Sequence, residues 1–189
     1  LKEATINVTS AAGDGINCAQ YFLMESGVIN ISGVEDDGIQ CDIEDTEVGS
    51  TGETVDHEDE DSGNIYIEGG TININTPGKA AKGIKSEGDL FVKDGTINIT
   101  TTGHGKWDDE DIKTKAAACL GSDAKVIISG GQLILTSTGA GGKGINCDAA
   151  FELSGGDVTI VTKGALYYHD GTTENTNYTG NTDNVNSDY

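Results

Sequence analysis

Carboxylate side chains recur at two positions of a repeated pattern, and these acids are the residues in the sequence best suited to chemistry. One set directly follows short apolar segments such as "GIQC" and "GINC", and the other set precedes them or lies in the stretch "KWDDED". The two sets consist of Asp42, Glu87, Asp123 and Asp148, and of Asp14, Asp36, Asp37, Asp108, Asp109 and Asp111. Oxygen ligands in excess, without a matching set of His and Cys, favour Ca²⁺ over zinc or copper. The sequence therefore predicts a calcium site, with a solvated acidic surface as the alternative.

A third acidic group lies in an insertion, residues 43–63, that begins directly after Asp42. The insertion is expected to bring four more acids close to the first set: Asp56, Glu58, Asp59 and Asp61. The insertion matches neither an EF-hand loop nor the nonapeptide of calcium-binding β-helices. The calcium prediction therefore rests on charge and expected position alone.

The single tryptophan, Trp107, stands beside the acids of "KWDDED". An exposed indole next to carboxylates could stack on a sugar ring while polar groups bind the hydroxyls, or it could cover a corner of the core. Lys82 and Lys85 are predicted to contact the same ligand. With Lys143, they are also candidates for a base that removes the proton next to a uronate carboxylate, but lysine on an acidic surface is usually a salt partner with a raised pKa. We therefore expect binding without catalysis and assign no catalytic residue.

A repeat of 23 to 25 residues must position these side chains. Glycines of equivalent motifs, such as "EGGTI" and "SGGDV", are separated by 43, 25, 36 and 25 residues, so two insertions interrupt the period. These glycines are Gly27, Gly70, Gly95, Gly131 and Gly156. Internal periods of this length are typical of solenoids.

Three sets of apolar residues recur within each period, and each set is a pair at positions i and i+2. The pairs begin at Ile6 and Val8, at Ile16 and Cys18, and at Phe22 and Met24. Spacing of two residues is that of a strand with one buried face. Stacked strands let each pair pack on the equivalent pair of the next repeat, which forms a core that no single repeat could bury.

These observations predict an all-β fold, a right-handed single-stranded parallel β-helix with three short strands per coil and about six coils. Right-handedness is the usual hand of parallel connections. The helix is expected over residues 1–162, with insertions at 43–63 and 103–114. Residues 163–189 lose the repeat and are expected to form an irregular tail that caps the helix or contacts another copy.

Composition excludes several classes of protein. The net charge is −21, from 32 acids against 11 bases, and all of these bases are lysine. Such a chain repels nucleic acid and anionic lipid surfaces. No run of 18 apolar residues exists, so insertion into a membrane is not expected.

Three of the four cysteines fall in one predicted column. Cys18 and Cys41 should stack in neighbouring coils, with Ser86 and Ser122 between them and Cys147. Either these small residues fill a narrow edge of the core, or Cys18 and Cys41 form a disulfide, which their separation permits. Cys119 is expected at a corner, outside the column.

The segments "GDGINC", "DDGIQCD", "SGGQLILTSTGAGGKGINCD" and "KWDDEDIKTKAAACLGSD" resemble a bacterial family of carbohydrate-binding β-helix proteins. That family is similar in shape to pectate lyases, including polysaccharide lyase family nine. The resemblance covers roughly residues 4–162. It implies a secreted or cell-surface protein that binds Ca²⁺ and plant-type polysaccharide, either cellulose or acidic pectin, without established lyase activity. The sequence departs from the acidic corners at Lys82 and Lys143, so the implied calcium site is not repeated in every coil.

Three functions are consistent with the sequence. We expect a calcium-binding module that binds polysaccharide without catalysis. The alternatives are a structural protein that assembles head to tail through open β-helix ends, and a calcium-dependent lyase. Binding predicts saturation with a sugar, whereas assembly predicts growth of particles without one.

Overall fold

The computed structural model describes residues 1–43 and 62–178, and in this part of the chain all regular structure is β-strand. The strands are β1 (Thr5–Val8), β2 (Ile16–Cys18), β3 (Tyr21–Met24), β4 (Val28–Ser32), β5 (Ile39–Cys41), β6 (Asn64–Ile67), β7 (Thr71–Thr76), β8 (Lys82–Ser86), β9 (Leu90–Val92), β10 (Thr96–Thr101), β11 (Lys106–Asp108), β12 (Lys113–Lys115), β13 (Ala118–Ser122), β14 (Val126–Ile128), β15 (Gln132–Ser137), β16 (Lys143–Cys147), β17 (Phe151–Leu153), β18 (Asp157–Thr162), β19 (Leu166–His169) and β20 (Glu174–Tyr178). None of the described residues forms a helix with the length and apolar character needed to cross a bilayer.

Three parallel sheets form the body of the molecule, and each coil contributes one strand to each sheet. Sheet A has the order β1-β4-β7-β10-β15-β18, sheet B has the order β2-β5-β8-β13-β16, and sheet C has the order β3-β6-β9-β14-β17. The predicted parallel β-helix of about six coils is therefore confirmed.

The apolar pairs stack in the predicted register. Ile29, Ile72 and Ile97 are successive partners in sheet A, and each is fully buried. In sheet B, Cys18 is the partner of Cys41, which pairs in turn with Ser86. Alternation of buried and outward residues follows because successive side chains of a strand point to opposite faces.

The repeated glycine makes a corner between sheets C and A. Gly70 has a φ of 90°, and a Cβ at this position would lie 2.8 Å from the Gly27 carbonyl oxygen. Both the left-handed backbone and the close approach of the next coil therefore require glycine here.

The two insertions lie between strands of the helix. Residues 103–114 were expected as an insertion, and the antiparallel pair β11–β12 lies in this region. Most of the acidic insertion, residues 44–61, falls outside the described residues, and so do Asp56, Glu58, Asp59 and Asp61.

Part of the tail is more regular than the sequence suggests, because β19 and β20 form an antiparallel hairpin. Tyr167 is its anchor, with 1% of its surface exposed. The turn between the strands contains Gly171, with a φ of 91°. Residues 179–189 lie outside the described part of the chain, and the proposed roles of the tail as cap or contact stay predictions.

The four cysteines are all free thiols. Cys18 and Cys147 are half-buried, and they lie in the first and last strands of sheet B. Cys119 does not lie at a corner as expected, because it is a buried residue within β13.

Candidate functional site

A cleft of about 700 Å³ runs over the outward face of sheet B. Its floor is formed by Gln40, Lys85, Gly121 and Asn146, which are neighbours in the sheet register. These residues face outward because they alternate with buried positions of β5, β8, β13 and β16. Gly121 has no side chain, and it therefore leaves the middle of the floor low.

The β11–β12 hairpin contributes one wall of the cleft. Lys106 and Asp108 of β11 line the cleft, whereas Trp107 does not. This follows from the strand period, which directs alternate side chains to opposite faces of the hairpin. Lys113 and Lys115 of β12 line the same wall.

Lysines are concentrated in this cleft. Of the 11 lysines in the chain, seven line it, although the chain as a whole carries a net charge of −21. They are Lys79, Lys82, Lys85, Lys106, Lys113, Lys115 and Lys143. Six aspartates line the same cleft, so seven lysines less six aspartates leave a formal charge of +1 there. The cleft is therefore much less acidic than the rest of the surface, and its electrostatic potential is less repulsive to anions.

Several of these lysines are neutralised locally. Lys85 forms an ion pair with Asp123, Lys115 forms one with Asp108, and Lys113 lies 3.3 Å from Asp111. The hydrogen bond from Lys115, helped by the backbone N–H groups of Asp111 and Glu110, lowers the pKa of Asp108 to about 2. Asp108 is therefore held as a carboxylate that positions Lys115.

Other lysines of the cleft have no such partner. Within residues 1–43 and 62–178, Lys82, Lys106 and Lys143 form no ion pair, and the Lys143 ammonium donates instead to Asn146 at 2.9 Å. Lys82 is partly buried, and this burial lowers its pKa, while the charge of Asp37 opposes the shift. An anionic ligand would supply the carboxylates that these ammonium groups lack.

One acidic corner adjoins the lysines. Asp14, Asp36 and Asp37 each offer an oxygen within 4.8 Å of the other two, and Asp36 and Asp37 line the cleft. Asp14 accepts a hydrogen bond from the backbone N–H of Asp37 at 2.9 Å, which ties two coils together. Among the described residues, this is the one group of three acids close enough to hold a metal ion.

Asp37 is the buried member of this corner, with 5% of its surface exposed. Burial raises its pKa to about 6, and the neighbouring charges of Asp36 and Asp14 add to the shift while Lys82 opposes it. A bound cation would stabilise the ionised form of this buried carboxylate more than that of an exposed one. Three hard oxygen donors and no thiolate or imidazole fit Ca²⁺.

Four further predicted acids line the same cleft, namely Asp108, Asp111, Asp123 and Asp148, but they are not grouped closely enough to hold a metal ion as the acidic corner is. Backbone hydrogen bonds between coils confirm that Asp42, Glu87, Asp123 and Asp148 stack in one column. Three of these carboxylates have different partners: Asp42 accepts from Gln40 at 2.8 Å, Glu87 accepts from the backbone of Ile43 at 2.6 Å, and Asp123 forms an ion pair with Lys85. A metal-binding role for this column stays a prediction.

Trp107 lies on the opposite face of the hairpin from the cleft. Its indole stacks on the His169 ring at 5.0 Å and donates a hydrogen bond to Asp109 at 2.8 Å. Trp107, Asp109 and His169 line a second cavity of about 300 Å³. Trp107 and Asp109 are therefore not brought together with Lys82 and Lys85, and Lys106 is the cleft lysine that also reaches the second cavity.

Reasoning from the sequence missed much of the cleft, in particular Lys79, Lys106, Lys113 and Lys115. A signal was present in "GKWDDEDIKTK", where Lys113 and Lys115 alternate as they would on one face of a strand. What the repeat could not reveal was that this face folds over sheet B.

Comparison with known proteins agrees with a saccharide ligand. A family model described as "Carbohydrate-binding domain-containing protein" matches residues 1–171. No curated protein and no solved structure matches the chain. Because the family model spans both the β-helix and the cleft, the chain belongs to this family of carbohydrate-binding domains.

Proposed function

We propose that this protein binds acidic polysaccharide, of the pectin type, in the cleft over sheet B, with Ca²⁺ at the corner of Asp14, Asp36 and Asp37 and without catalysis. The observation that carries the proposal is that three lysines of the cleft, Lys82, Lys106 and Lys143, form no ion pair among the described residues, in a protein whose net charge is −21. A neutral glycan such as cellulose cannot form ion pairs with these lysines, whereas a chain of uronates presents a carboxylate on every sugar.

The composition of the cleft supports recognition by hydrogen bonds and charge. Lys82, Lys106 and Lys143 are available for carboxylates, and Gln40 and Asn146 line the floor as donors and acceptors for hydroxyls. Lysine binds as a flexible point charge, so it tolerates several sugar orientations better than a rigid arginine would. A cleft of this kind suits a repeating polymer.

Calcium would complete the acidic corner. Ca²⁺ takes six to eight oxygen ligands, and three aspartates leave positions for water or for a ligand carboxylate. When bound, the ion would neutralise the corner and bridge it to an anionic sugar. The proposal places the protein outside the cell or at its surface, where Ca²⁺ reaches the concentrations of about 10⁻⁴ to 10⁻³ M at which extracellular modules bind it.

Calorimetric titration with oligogalacturonate tests the proposal, in calcium and then in chelator. We expect saturable binding that weakens without calcium, and much weaker binding of a cello-oligosaccharide of equal length. Equal binding of both sugars would contradict the acidic specificity. Unchanged affinity in chelator would contradict the role of calcium and leave the acidic specificity standing.

One observation favours a lyase as the second candidate. Burial lowers the pKa of Lys82, and a lysine with a lowered pKa is a better base at neutral pH than an ordinary one. The same oligogalacturonate, incubated for long periods, would then yield unsaturated products with a new ultraviolet absorbance. We expect none, because Lys82 lies beside Asp37, whose charge favours the protonated ammonium.

A further inference from the structure

The second cavity lies between two hairpins, and neither hairpin belongs to the repeat. The β11–β12 hairpin supplies Trp107 and Asp109, and the β19–β20 hairpin supplies His169 and Glu174. The volume of about 300 Å³ lies at the lower limit of the range of about 300 to 1,000 Å³ that is typical of small-molecule pockets. The cavity therefore suits a single small group rather than a length of polymer.

Close packing holds the tail hairpin in place. Tyr167 of β19 is buried, and a Cβ added at Gly105 would lie 2.8 Å from the Tyr167 Cδ1 atom. A Cβ added at Gly141 would lie 2.7 Å from the Tyr167 Cβ. The His104 ring also stacks on Tyr167, with 5.8 Å between the ring centroids. The cavity is thus bounded by packed elements and is formed before a ligand arrives.

Trp107 presents an apolar surface in this cavity. The stack on His169 and the hydrogen bond to Asp109 hold the indole in one orientation. A side chain that is already ordered loses little conformational entropy when a ligand binds. The indole is half-buried, so part of it stays accessible. An accessible aromatic ring packs well against the C–H groups of a sugar ring.

Polar groups beside the indole can bind sugar hydroxyls. The backbone N–H of Gly171 donates to the His169 Nδ1 at 3.0 Å, so the neutral ring carries its proton on Nε2, which is a donor. The Tyr167 hydroxyl donates to Glu174 at 3.1 Å. A carboxylate accepts several hydrogen bonds, so Glu174 and Asp109 keep capacity for hydroxyl donors.

The charge of this cavity differs from that of the cleft. One lysine, Lys106, and two acids, Asp109 and Glu174, line it, which leaves a formal charge of −1 with histidine counted as neutral. The lining of the cleft sums to +1. A carboxylate on a bound sugar would face two acids in the second cavity, and a neutral sugar would not. The cavity therefore favours a neutral sugar.

Lys106 connects the second cavity to the cleft, because it lines both. The β11–β12 hairpin separates the two sites, with Asp108 on the cleft side and Trp107 on the other. A polymer whose backbone lies in the cleft would therefore need only a short substituent to pass the hairpin at Lys106. That substituent would then meet an aromatic ring and groups that bind hydroxyls.

We propose that the second cavity binds a neutral sugar that branches from the uronate chain, while the backbone of that chain lies in the cleft over sheet B. The assignment rests on the proposed function of the cleft and adds a preference to it, since a branched acidic polysaccharide then binds more tightly than an unbranched one. The cleft recognises the charge of the backbone, and the cavity recognises the branch.

Calorimetric titration in calcium compares three ligands with the same galacturonate backbone: one unbranched, one with single xylose branches and one with single glucuronate branches. We expect the xylose branch to tighten binding about tenfold, because it packs on an indole and forms hydrogen bonds. The glucuronate branch should give no gain, because the cavity carries a formal charge of −1. Equal gains from both branches would overturn the preference for a neutral sugar.

Trp107→Ala should remove the gain from xylose and leave the affinity for the unbranched chain unchanged, since Trp107 does not line the cleft. The matched control is Tyr66→Ala, which removes an aromatic ring from β6, outside both cavities. This control should keep the full gain. A gain that survives Trp107→Ala would overturn the branch site.

Fluorescence of the wild-type protein gives a second readout that needs no substitution. Trp107 is the single tryptophan, so its emission reports on the cavity directly. The xylose-branched chain should change this emission saturably, and the unbranched chain should not. If the unbranched chain binds but neither emission nor affinity responds to the branch, the branch site is overturned and the proposed function stands. If the unbranched chain does not bind at all, the proposed function itself fails.

Discussion

The outward faces of sheets A and B share one backbone geometry and differ in what their side chains do. On sheet A, Asn30 donates to Asn7, Asn73 donates to Asn30, and Asn98 donates to Asn73, each at 2.9 Å. On sheet B, the neighbouring residues differ from coil to coil, and Gln40 bonds sideways to Asp42.

This difference indicates which face is available to a ligand. Identical amides stacked at the strand spacing use one another's donors and acceptors, so the ladder stabilises the helix and has little hydrogen-bonding capacity left. The unlike residues of sheet B, with lysines from the hairpin above them, keep capacity for a partner. Five predictions test this contrast and the binding site beside it, from the largest expected effect to the smallest.

Removing two lysine charges from the cleft is expected to have the largest effect. In the double variant Lys82→Met and Lys143→Met, affinity for oligogalacturonate should fall about 100-fold or more, because both ammonium groups are available to the ligand and a hydrogen bond to a charged group contributes about 1.5 to 3 kcal/mol. Methionine keeps most of each aliphatic stem. The matched control is Lys93→Met with Lys125→Met, whose lysines pair with Glu68 and Glu152 outside the cleft. Equal losses in both variants would show that the ligand does not bind specifically in the cleft.

Calcium binding is expected to depend on Asp37. Asp37→Asn should weaken Ca²⁺ binding at least tenfold by calorimetry, since it removes a buried carboxylate from a site of three. Asp157→Asn, in the exposed strand β18, is the control and should change nothing. Because Ca²⁺ binds the ionised form, wild-type affinity should also decline as the pH falls through about 6, the pKa of Asp37.

The same carboxyl makes the stability of the calcium-free protein depend on pH. Between the ordinary pKa of 3.8 and the folded value of about 6, the folded chain holds a proton that the unfolded chain has released. The contribution of Asp37 to stability is therefore complete below pH 3.8 and is lost as the pH rises through about 6. Melting temperatures measured across this window should decline less in Asp37→Asn, and a parallel decline in both proteins would contradict the assignment.

Filling the floor of the cleft should have an intermediate effect. At Gly121 a Cβ would lie 3.0 Å from the Lys82 Cγ and 3.5 Å from the Lys85 Cδ, both in flexible side chains. Gly121→Leu is therefore expected to fold and to weaken oligogalacturonate about tenfold, which corresponds to about 1.4 kcal/mol. Gly121→Ala serves as the smaller step, and an affinity insensitive to both would place the ligand elsewhere.

Breaking the asparagine ladder should have the smallest effect, and on stability alone. Asn73→Ala removes two side-chain hydrogen bonds and should lower the free energy of unfolding by about 1 kcal/mol, as expected for partly exposed bonds. Asn7→Ala, at the end of the ladder, removes one bond and should lower it by about half as much. Denaturant unfolding measures both. Altered affinity for oligogalacturonate in Asn73→Ala would show that the ladder takes part in binding.

The fold was predictable because its signal is local and repeated. The i, i+2 spacing of pairs such as Ile72 and Ile74 indicates that both side chains are buried. The period of the repeat then predicts that each pair packs on the equivalent pair of the next coil. The acidic corner was predictable for the same reason, since Asp14 and Asp37 occupy equivalent positions of successive coils.

The cleft was less predictable because it joins parts of the chain that no repeat relates. Lys82 and Lys85 were expected to contact a sugar, but Lys106 and Lys115 reach the cleft only because the hairpin folds over sheet B. The orientation of Trp107 likewise depends on the alternation within β11. Its side chain lines the second cavity and not the cleft that contains Lys82 and Lys85. Tertiary placement of an insertion is set by packing that the periodic pattern does not encode.

The corners of the coil also bear on how such a molecule can change. The hairpin adds residues between β10 and β13, yet the register of both strands with their neighbours is continuous. A corner can therefore lengthen without disturbing the coils above and below it, so a new loop can be acquired or grafted there at little risk to folding. The β-helix in this sense is a scaffold whose ligand preference can evolve, or be engineered, one corner at a time.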